Sequence, residues 1–334
     1  KGFNASIYLH KQTQSANAKS LVAIMALQTV QGDTLQVSAA GEDAAAAIKA
    51  LVALLAEGCG ETVAAPVEDV EPRVPLSSAS VLRGVCASPG SAFGQVVQVA
   101  EPTLSIPEAG GGEALERTAL ERGLLAATEA LQALQAKAVG SAQAQIFRAH
   151  QELLEDPTLL EQAHDLLAVG KSAAFAWNSA TLATAQLFQG LGNALLAERA
   201  ADLADVGQRV LKLILGIHDR AWELPERAIL IAEQLTPSQT ASLDTHKVLG
   251  FVTVGGGATS HVAILARALG LPAICGVPPQ VLALANGQQV LLDADKGELH
   301  LNPDLAEIEQ LQATRREQVQ RRQRDVAQAC LAAI

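Results

Sequence analysis

The sequence predicts an α/β multidomain protein, and three observations carry that expectation. Apolar, β-branched runs of strand length lie between Arg83 and Val99 and again at Ala228–Ala232, Val248–Thr253 and Gln289–Asp293. Between these groups, residues 113 to about 215 lack strand signals and repeat apolar positions at helical spacing. The chain also has 334 residues, 49% of them apolar and only 3% aromatic. That is enough to bury a sizeable core, mostly of Ala, Leu and Val, divided over two or three domains.

Along the chain, Phe3–Leu9 alternates apolar and polar residues as a half-buried strand does, and Ser20 stands as N-cap of a short helix through Leu21, Ile24 and Met25. Thr34–Ser38 reads as a second strand, and Glu42 to Glu57 as an amphipathic helix closed by Gly58. Residues 59–80, with their prolines and acidic residues, read as a solvated linker. Arg83 to Val99 gives a strand-turn-strand with Ser88-Pro89-Gly90 at the bend. In the helical region, Leu124, Ala127, Leu131 and Leu134 form one predicted apolar stripe, and Ala183, Leu187, Leu191 and Ala194 another. The later runs should join the opening strands in one sheet across the helical insertion, with Lys296-Gly297 turning into Glu298–Leu301. From Asp304 the tail is rich in Glu, Gln and Arg at helical spacing.

A formal net charge of −11 argues against nucleic acid or an anionic membrane as partner, and suits a basic protein partner. Cys59, Cys86, Cys275 and Cys330 are scattered, with no CxxC pair and no metal spacing, which points to a reducing, cytoplasmic compartment. Cys86 and Cys275 lie in apolar runs and read as core residues. No apolar run approaches a membrane span, so no membrane insertion is expected. The opening Lys1-Gly2-Phe3, without an initiator methionine or a signal sequence, reads as the start of a piece of something longer.

The segment with most chemistry is Gly255-Gly256-Gly257-Ala258-Thr259-Ser260-His261, running into an apolar helix that Gly270 and Pro272 stop. His261 is predicted in the first helical turn, where unpaired N–H groups and the positive end of the helix dipole favour an anion. The same field favours the neutral imidazole, whose ring nitrogen is a nucleophile. Gly256 and Gly257 let a phosphate approach the backbone, while Thr259 and Ser260 add hydroxyl donors.

Those residues resemble the phosphohistidine motif of enzyme I, the phosphoenolpyruvate-protein phosphotransferase of the bacterial sugar phosphotransferase system. Further likeness lies in Ala87–Gly94, in Glu198-Arg199-Ala200-Ala201-Asp202, and in Leu235–Thr240, which resembles the loop facing the active histidine. The resemblance makes His261 the phosphorylated residue and Thr240 its hydrogen-bonding threonine. One departure is Ala258, which stands in a slot where many enzyme I sequences carry arginine. Ser260 favours enzyme I over the dikinase group, which usually has Thr-Cys-His there. Lys1-Gly2-Phe3, Ala18–Leu21 and Gly41-Glu42-Asp43 resemble the latter two thirds of the phosphocarrier HPr, a family whose own phosphorylated histidine lies on an earlier turn. Ser20 matches a regulatory phosphorylation site of some HPr proteins, although the N-cap already explains a serine there.

This resemblance implies a partial HPr-like open-faced α+β unit followed by a phosphohistidine swivelling α/β domain with an inserted helical bundle. Its expected bounds are 1–58 for the HPr-like unit, 59–80 for the linker, 81–112 and 215–305 for the phosphohistidine domain, 113–214 for the helical HPr-docking insertion, and 306–334 for a connecting helix. Phosphoenolpyruvate and Mg²⁺ would belong to a barrel beyond that helix, with no cofactor or metal in this chain. HPr, in cis or in trans, is the implied partner, and Phe147, His150, Leu153, Leu154, Glu155, Asp156 and Arg199 are the candidate docking residues. A fused multiphosphoryl transfer protein, often of fructose uptake, is the implied setting. The phosphocarrier subunit of dihydroxyacetone kinase and a non-catalytic docking or regulatory module remain as alternatives. His10, His164, His218, His246 and His300 lack a glycine turn or partner cluster and read as structural or solvated.

Overall fold

The computed structural model describes residues 2–30, 32–57, 80–99, 104–138, 141–192, 194–217, 224–241, 243–257 and 260–304. Linker 59–79, Cys59, Cys330, Ala258, Thr259, His218 and the tail beyond Asp304 lie outside the described residues. Two compact units result. The first draws on Lys1–Glu71, Leu104–Lys137 and Ala144–Asp219, the second on Pro72–Thr103, Ala138–Gln143 and Arg220–Ile334.

In the first unit, β1 (Ser6–Lys11), β2 (Gln14–Asn17) and β3 (Gln36–Ala40) form an antiparallel sheet in the order β2-β1-β3. Ile7 and Leu9 of β1 are buried while Tyr8 is exposed, the two-residue alternation of a half-covered sheet. The strand starts later than Phe3 because the N–H groups of Asn4 and Ala5 donate to the Asp43 carboxylate, each at 2.7 Å. β2 was not expected, since Gln-Ser-Ala-Asn is polar and only Ala16 is buried; it forms because Gln12 adopts φ 53° and folds the chain back on β1. Two helices cover this sheet's apolar side: α1 (Leu21–Ala26) and α2 (Ala44–Ala56), whose Ala47 packs on Ala5 and Ile7. His10 is spent on β3, its Nε2 lying 2.7 Å from Ser38 Oγ.

The same unit holds α3 (Glu113–Lys137), α4 (Ser141–Leu154), α5 (Pro157–Ala168), α6 (Ala173–Gly190) and α7 (Ala194–Ile214). In α3 the buried line is Leu120, Gly123, Ala127 and Leu131, with Leu124 and Leu134 half-buried beside it. The stripe expected in α6 is a correction: Leu187 is 50% exposed and Ala183 is exposed too. Trp177 and Phe188 set the buried face instead, with Ala173, Ala180, Thr184 and Ala185 alongside. Two large aromatics outweigh one leucine when a helix chooses the side to bury. Trp177 also satisfies its buried Nε1–H by donating to the Gly207 carbonyl of α7, at 3.2 Å.

The second unit is one eight-stranded sheet in the order β4-β11-β10-β6-β7-β8-β9-β5. Its strands are β4 (Val81–Arg83), β5 (Val85–Ser88), β6 (Ser91–Val99), β7 (Ala228–Ala232), β8 (Val248–Thr253), β9 (Ala273–Cys275), β10 (Gln289–Asp293) and β11 (Glu298–Leu301). β6, β7, β8 and β9 run parallel in sequence and the other pairs are antiparallel. All five residues of β7 are buried, the continuous apolar run of a strand covered on both faces. α8 (Pro237–Ala241) and α9 (His261–Leu269) follow β7 and β8. Burial pushes the Cys275 thiol up, with Cys86 adding to the effect; Cys86 is raised by burial and by Asp295.

Two outcomes test this architecture. A Cβ added to Gly94 would lie 2.1 Å from the Arg227 carbonyl oxygen, where β6 meets β7. Gly94→Ala should therefore destabilise the second unit by at least the about 1–3 kcal/mol of a typical overpacking change, read as a lowered thermal midpoint with the first unit unaffected. Asp43 is held below the ordinary carboxylate range by the Asn4 and Ala5 N–H groups. A depressed folded value means that its contribution is present above the unfolded value and lost as pH falls through the folded one. Hydrogen exchange at the Asn4 and Ala5 amides should accelerate, relative to the intrinsic rate, as pH drops below about 4, and Asp43→Asn should show that faster exchange already at neutral pH.

Candidate functional site

Everything at this site hangs from the carboxyl ends of β7 and β8, which lie side by side in parallel register. That end of a parallel sheet is where α/β folds collect ligands. Past β8 the chain keeps pairing for two residues, Val254 N–H donating to the Ala232 carbonyl and Gly255 N–H to that of Glu233. The Gln234 side chain packs over Gly255, where an added Cβ would lie 2.7 Å from Gln234 Nε2. Gly256 then turns with φ 88°, a left-handed value suited to glycine, and nothing lies within 4 Å of where a Gly257 Cβ would stand.

Helix α9 begins at His261, as the sequence predicts, with Ser260 as N-cap in extended conformation. Ser260 Oγ accepts from Ala263 N–H at 3.3 Å, and its carbonyl accepts from Ile264 N–H at 3.1 Å. The hydroxyl acts here as acceptor and carries one O–H donor besides. At the far end, Gly270 (φ 68°) receives the chain, with Leu271 N–H bonded to the Ala266 carbonyl and Gly270 N–H to that of Arg267. This is the Schellman closure that Gly270 and Pro272 announce in the sequence. Ala263, Leu265 and Ala266 bury one face of α9, leaving the half-buried His261 at its start.

Leu235–Thr240, read as a loop, is largely a short helix, α8, packed against α9. The reason is a reciprocal cap missed in the sequence. Thr236 Oγ1 accepts from Gln239 N–H at 3.1 Å, and Gln239 Oε1 accepts from Thr236 N–H at 2.9 Å. Thr-x-x-Gln is the readable signal for such a box. It fixes Thr240, fully buried, whose hydroxyl donates to the Thr236 carbonyl at 2.9 Å. With its proton so used, the Thr240 oxygen faces any other neighbour as an acceptor. Thus His261, Ser260, Gly256, Gly257 and Thr240 fall on two adjoining loop-helix segments, while Thr259 lies outside the described residues.

The candidate docking residues belong to the first unit. Phe147, His150, Leu153 and Leu154 are buried, and Glu155 is exposed. His150 meets the Phe147 ring edge-on and lies between Asp202 (Nε2 to Oδ1, 3.4 Å) and Asp205 (Nδ1 to Oδ2, 3.6 Å) of α7. Arg199 Nη1 donates to Asp202 Oδ2 at 3.1 Å. His150 is therefore buried between α4 and α7, while Arg199, partly exposed, pairs with Asp202 within α7. Asp156 instead reaches the N-terminal segment directly, accepting from Ser20 and Val22, and Thr158 joins it. Ser20 also caps α1 as predicted, accepting from Ala23 N–H at 2.9 Å.

Among the described residues, no three His, Cys, Asp or Glu side chains converge to hold a metal ion, and no helix is long and apolar enough to cross a membrane. The described hydroxyls and backbone N–H groups of the glycine turn and the start of α9 suit an anion.

Fold and site together define the class of phosphoenolpyruvate-utilising enzymes. Residues 224–297 match the family described as "PEP-utilising enzyme, mobile domain", 83–199 match "PEP-utilising enzyme, N-terminal", and 1–57 match "PTS HPr component phosphorylation site". Within that class the chain belongs to the enzyme I family. A solution structure of enzyme I (nEIt) aligns with 71% of this chain and 98% of its own, at 33% identity and a TM-score of 0.55. Multiphosphoryl transfer proteins of Rhodobacter capsulatus and Xanthomonas campestris are 38% and 37% identical over 91% and 100% of this chain. A phosphoenolpyruvate-protein phosphotransferase of Geobacillus stearothermophilus is 34% identical over 70% of this chain and 42% of its own. The chain spans 39% and 41% of the two multiphosphoryl transfer proteins, about two fifths of their length.

The cap has a direct test. Ser260→Ala should cost about 1 kcal/mol and fray the first turn of α9, read as faster exchange at the Ala263 amide, whereas Ser260→Asp should keep the turn closed.

Proposed function

We propose that this chain is the phosphoryl-carrying part of a phosphoenolpyruvate-protein phosphotransferase, with His261 as the residue that takes up the phosphoryl group and passes it to HPr. The observation that carries this reading is the seat of His261: the first residue of α9, capped by Ser260, after a glycine turn at the carboxyl end of a parallel strand. An anion there meets N–H groups that have no acceptor inside the helix, together with the Ser260 hydroxyl.

In the proposed reaction a neutral ring nitrogen of His261 attacks phosphorus in line. A nitrogen–phosphorus bond forms as the bond from phosphorus to the donor atom breaks, and the donor leaves with that electron pair. The donor atom is the enol oxygen of phosphoenolpyruvate in the complete protein, or the imidazole nitrogen of phosphorylated HPr in the reverse exchange. Ser260, Thr259 and first-turn N–H groups bear on the equatorial oxygens, and Thr240 orients the ring by accepting from its N–H. Ala258 brings no cation, so neutral donors carry the phosphate here. Phosphoenolpyruvate and Mg²⁺ are assigned to a barrel outside these residues, and no step within this chain runs through the metal.

The alternative as a dihydroxyacetone kinase subunit is less favoured, because the near relatives spanning HPr-like and enzyme I-like parts together bear the multiphosphoryl name. A fused multiphosphoryl transfer protein of the cytoplasm is the setting this supports.

Incubation with phosphorylated HPr should add one acid-labile phosphoryl group to the chain, seen by intact mass, and His261→Ala should abolish it while leaving HPr binding unchanged. Equal labelling of wild type and His261→Ala, or no labelling of the wild type by a competent donor, would falsify the assignment.

A further inference from the structure

The glycine turn before α9 has one close neighbour that the transfer reaction described above does not use. Gln234 follows the end of β7 by two residues, is exposed, and lays its side chain against Gly255. A Cβ built on Gly255 would come within 2.7 Å of Gln234 Nε2, 2.8 Å of its Cγ and 3.1 Å of its Cδ. The Gly255 φ is not positive, unlike that of Gly256, so the close approach of the carboxamide is what requires a glycine there. Gly255 itself is fixed by other groups. Its N–H donates to the Glu233 carbonyl at 2.8 Å, and its carbonyl accepts from Thr253 Oγ1 at 2.8 Å. Among the described residues the Gln234 carboxamide has no hydrogen-bonding partner, so its N–H donors stand beside the turn uncommitted. One residue further along, a Cβ on Gly256 would lie 3.8 Å from Ser260 Oγ. The Gln234 carboxamide and the Ser260 hydroxyl thus flank two consecutive glycines.

We propose that Gln234 is a further phosphate-binding residue of this site, its Nε2 donating to an equatorial oxygen of the phosphoryl group in transit at His261. The proposal rests on the reading of His261 as the phosphoryl carrier. Ala258 supplies no cation, so negative charge on the oxygens is met by neutral donors. A carboxamide offers two N–H donors without a charge. Its bond to an anionic oxygen is charge-assisted, and gains as charge spreads over the equatorial oxygens during transfer. It does so without the tight hold that an arginine would place on the phosphorylated state. No proton leaves Gln234. The bonds that form and break stay between His261, phosphorus and the donor atom.

The test compares the whole 334-residue chain with Gln234→Ala and Gln234→Glu, each labelled by purified phosphorylated HPr at several concentrations and followed by intact mass. Gln234→Ala removes the donors, and Gln234→Glu sets an acceptor-only carboxylate of the same shape in their place. Loss of one charge-assisted bond should slow the saturated rate of uptake about tenfold in Gln234→Ala, with Gln234→Glu slower by about tenfold again. The half-saturating HPr concentration is expected to stay within about twofold of wild type, as for an interaction made during transfer. Exchange of the Gly255 amide should keep the wild-type rate, since Glu233 and not Gln234 holds it. Saturated rates equal to wild type in either variant would overturn the proposal. So would a slowed rate accompanied by faster Gly255 exchange or by a matching rise in half-saturating HPr, which would make Gln234 a packing or docking residue. His261→Ala is run in the same series. Where the wild type is labelled, His261→Ala is not, and the Gln234 variants match wild type, the transfer reading stands and this proposal alone fails; where the wild type takes no label, both fall.

Discussion

The parallel register of Ala228–Ala232 with Val248–Thr253 is the constraint on which the proposed chemistry depends. It is a backbone contact between strands whose side chains do no chemistry. By aligning two strand ends, it starts α8 and α9 from one edge and makes those helices pack together. Cross-strand bonds beyond β8, through Val254 and Gly255, carry the alignment into the glycine turn. His261 and Thr240 thus stand 21 positions apart in sequence but on neighbouring elements. A sheet buried on both faces resists slippage, and fixing a nucleophile within reach of its partners is where much of a transfer rate originates.

Much of this was legible because it is local. Ser260, Gly270 and Pro272 mark both ends of α9 within a dozen residues, and the structure places that helix at His261–Leu269. Ser20 announces α1 in the same way. What escaped the sequence depends on distant partners or on competition between faces. β2 has polar residues and exists through its pairing with β1. The first strand loses its opening residues to Asp43, about 40 positions away. In α6 the period was right but the phase was wrong, because Trp177 and Phe188 set which side is buried. His150 fits a docking face by resemblance, yet its two aspartates lie on a helix more than 50 residues later.

Neutral and charged groups divide the labour between the two units. The segments that flank His261 offer the Ser260 and Thr240 hydroxyls and the backbone amides of a helix start. In the first unit, carboxyl side chains are drawn inward: Asp156 into a ring of donors, Asp202 and Asp205 around His150. The hydrogen bonds around Asp156 are filled, whereas His150 Nδ1 stands 3.6 Å from Asp205 without a hydrogen bond.

The two thiols of the sheet have a use unrelated to phosphate. Cys86 and Cys275 sit on paired strands, β5 and β9, and both are pushed above the usual thiol range by burial. The thiolate is the reactive form, so burial of Cys275 in the sheet disfavours its reaction, while Cys86 is only partly covered. Once β5 and β9 part, they become ordinary cysteines. The reactivity of Cys275 therefore reports the parting of β9 from β5 at the edge of the second unit's sheet.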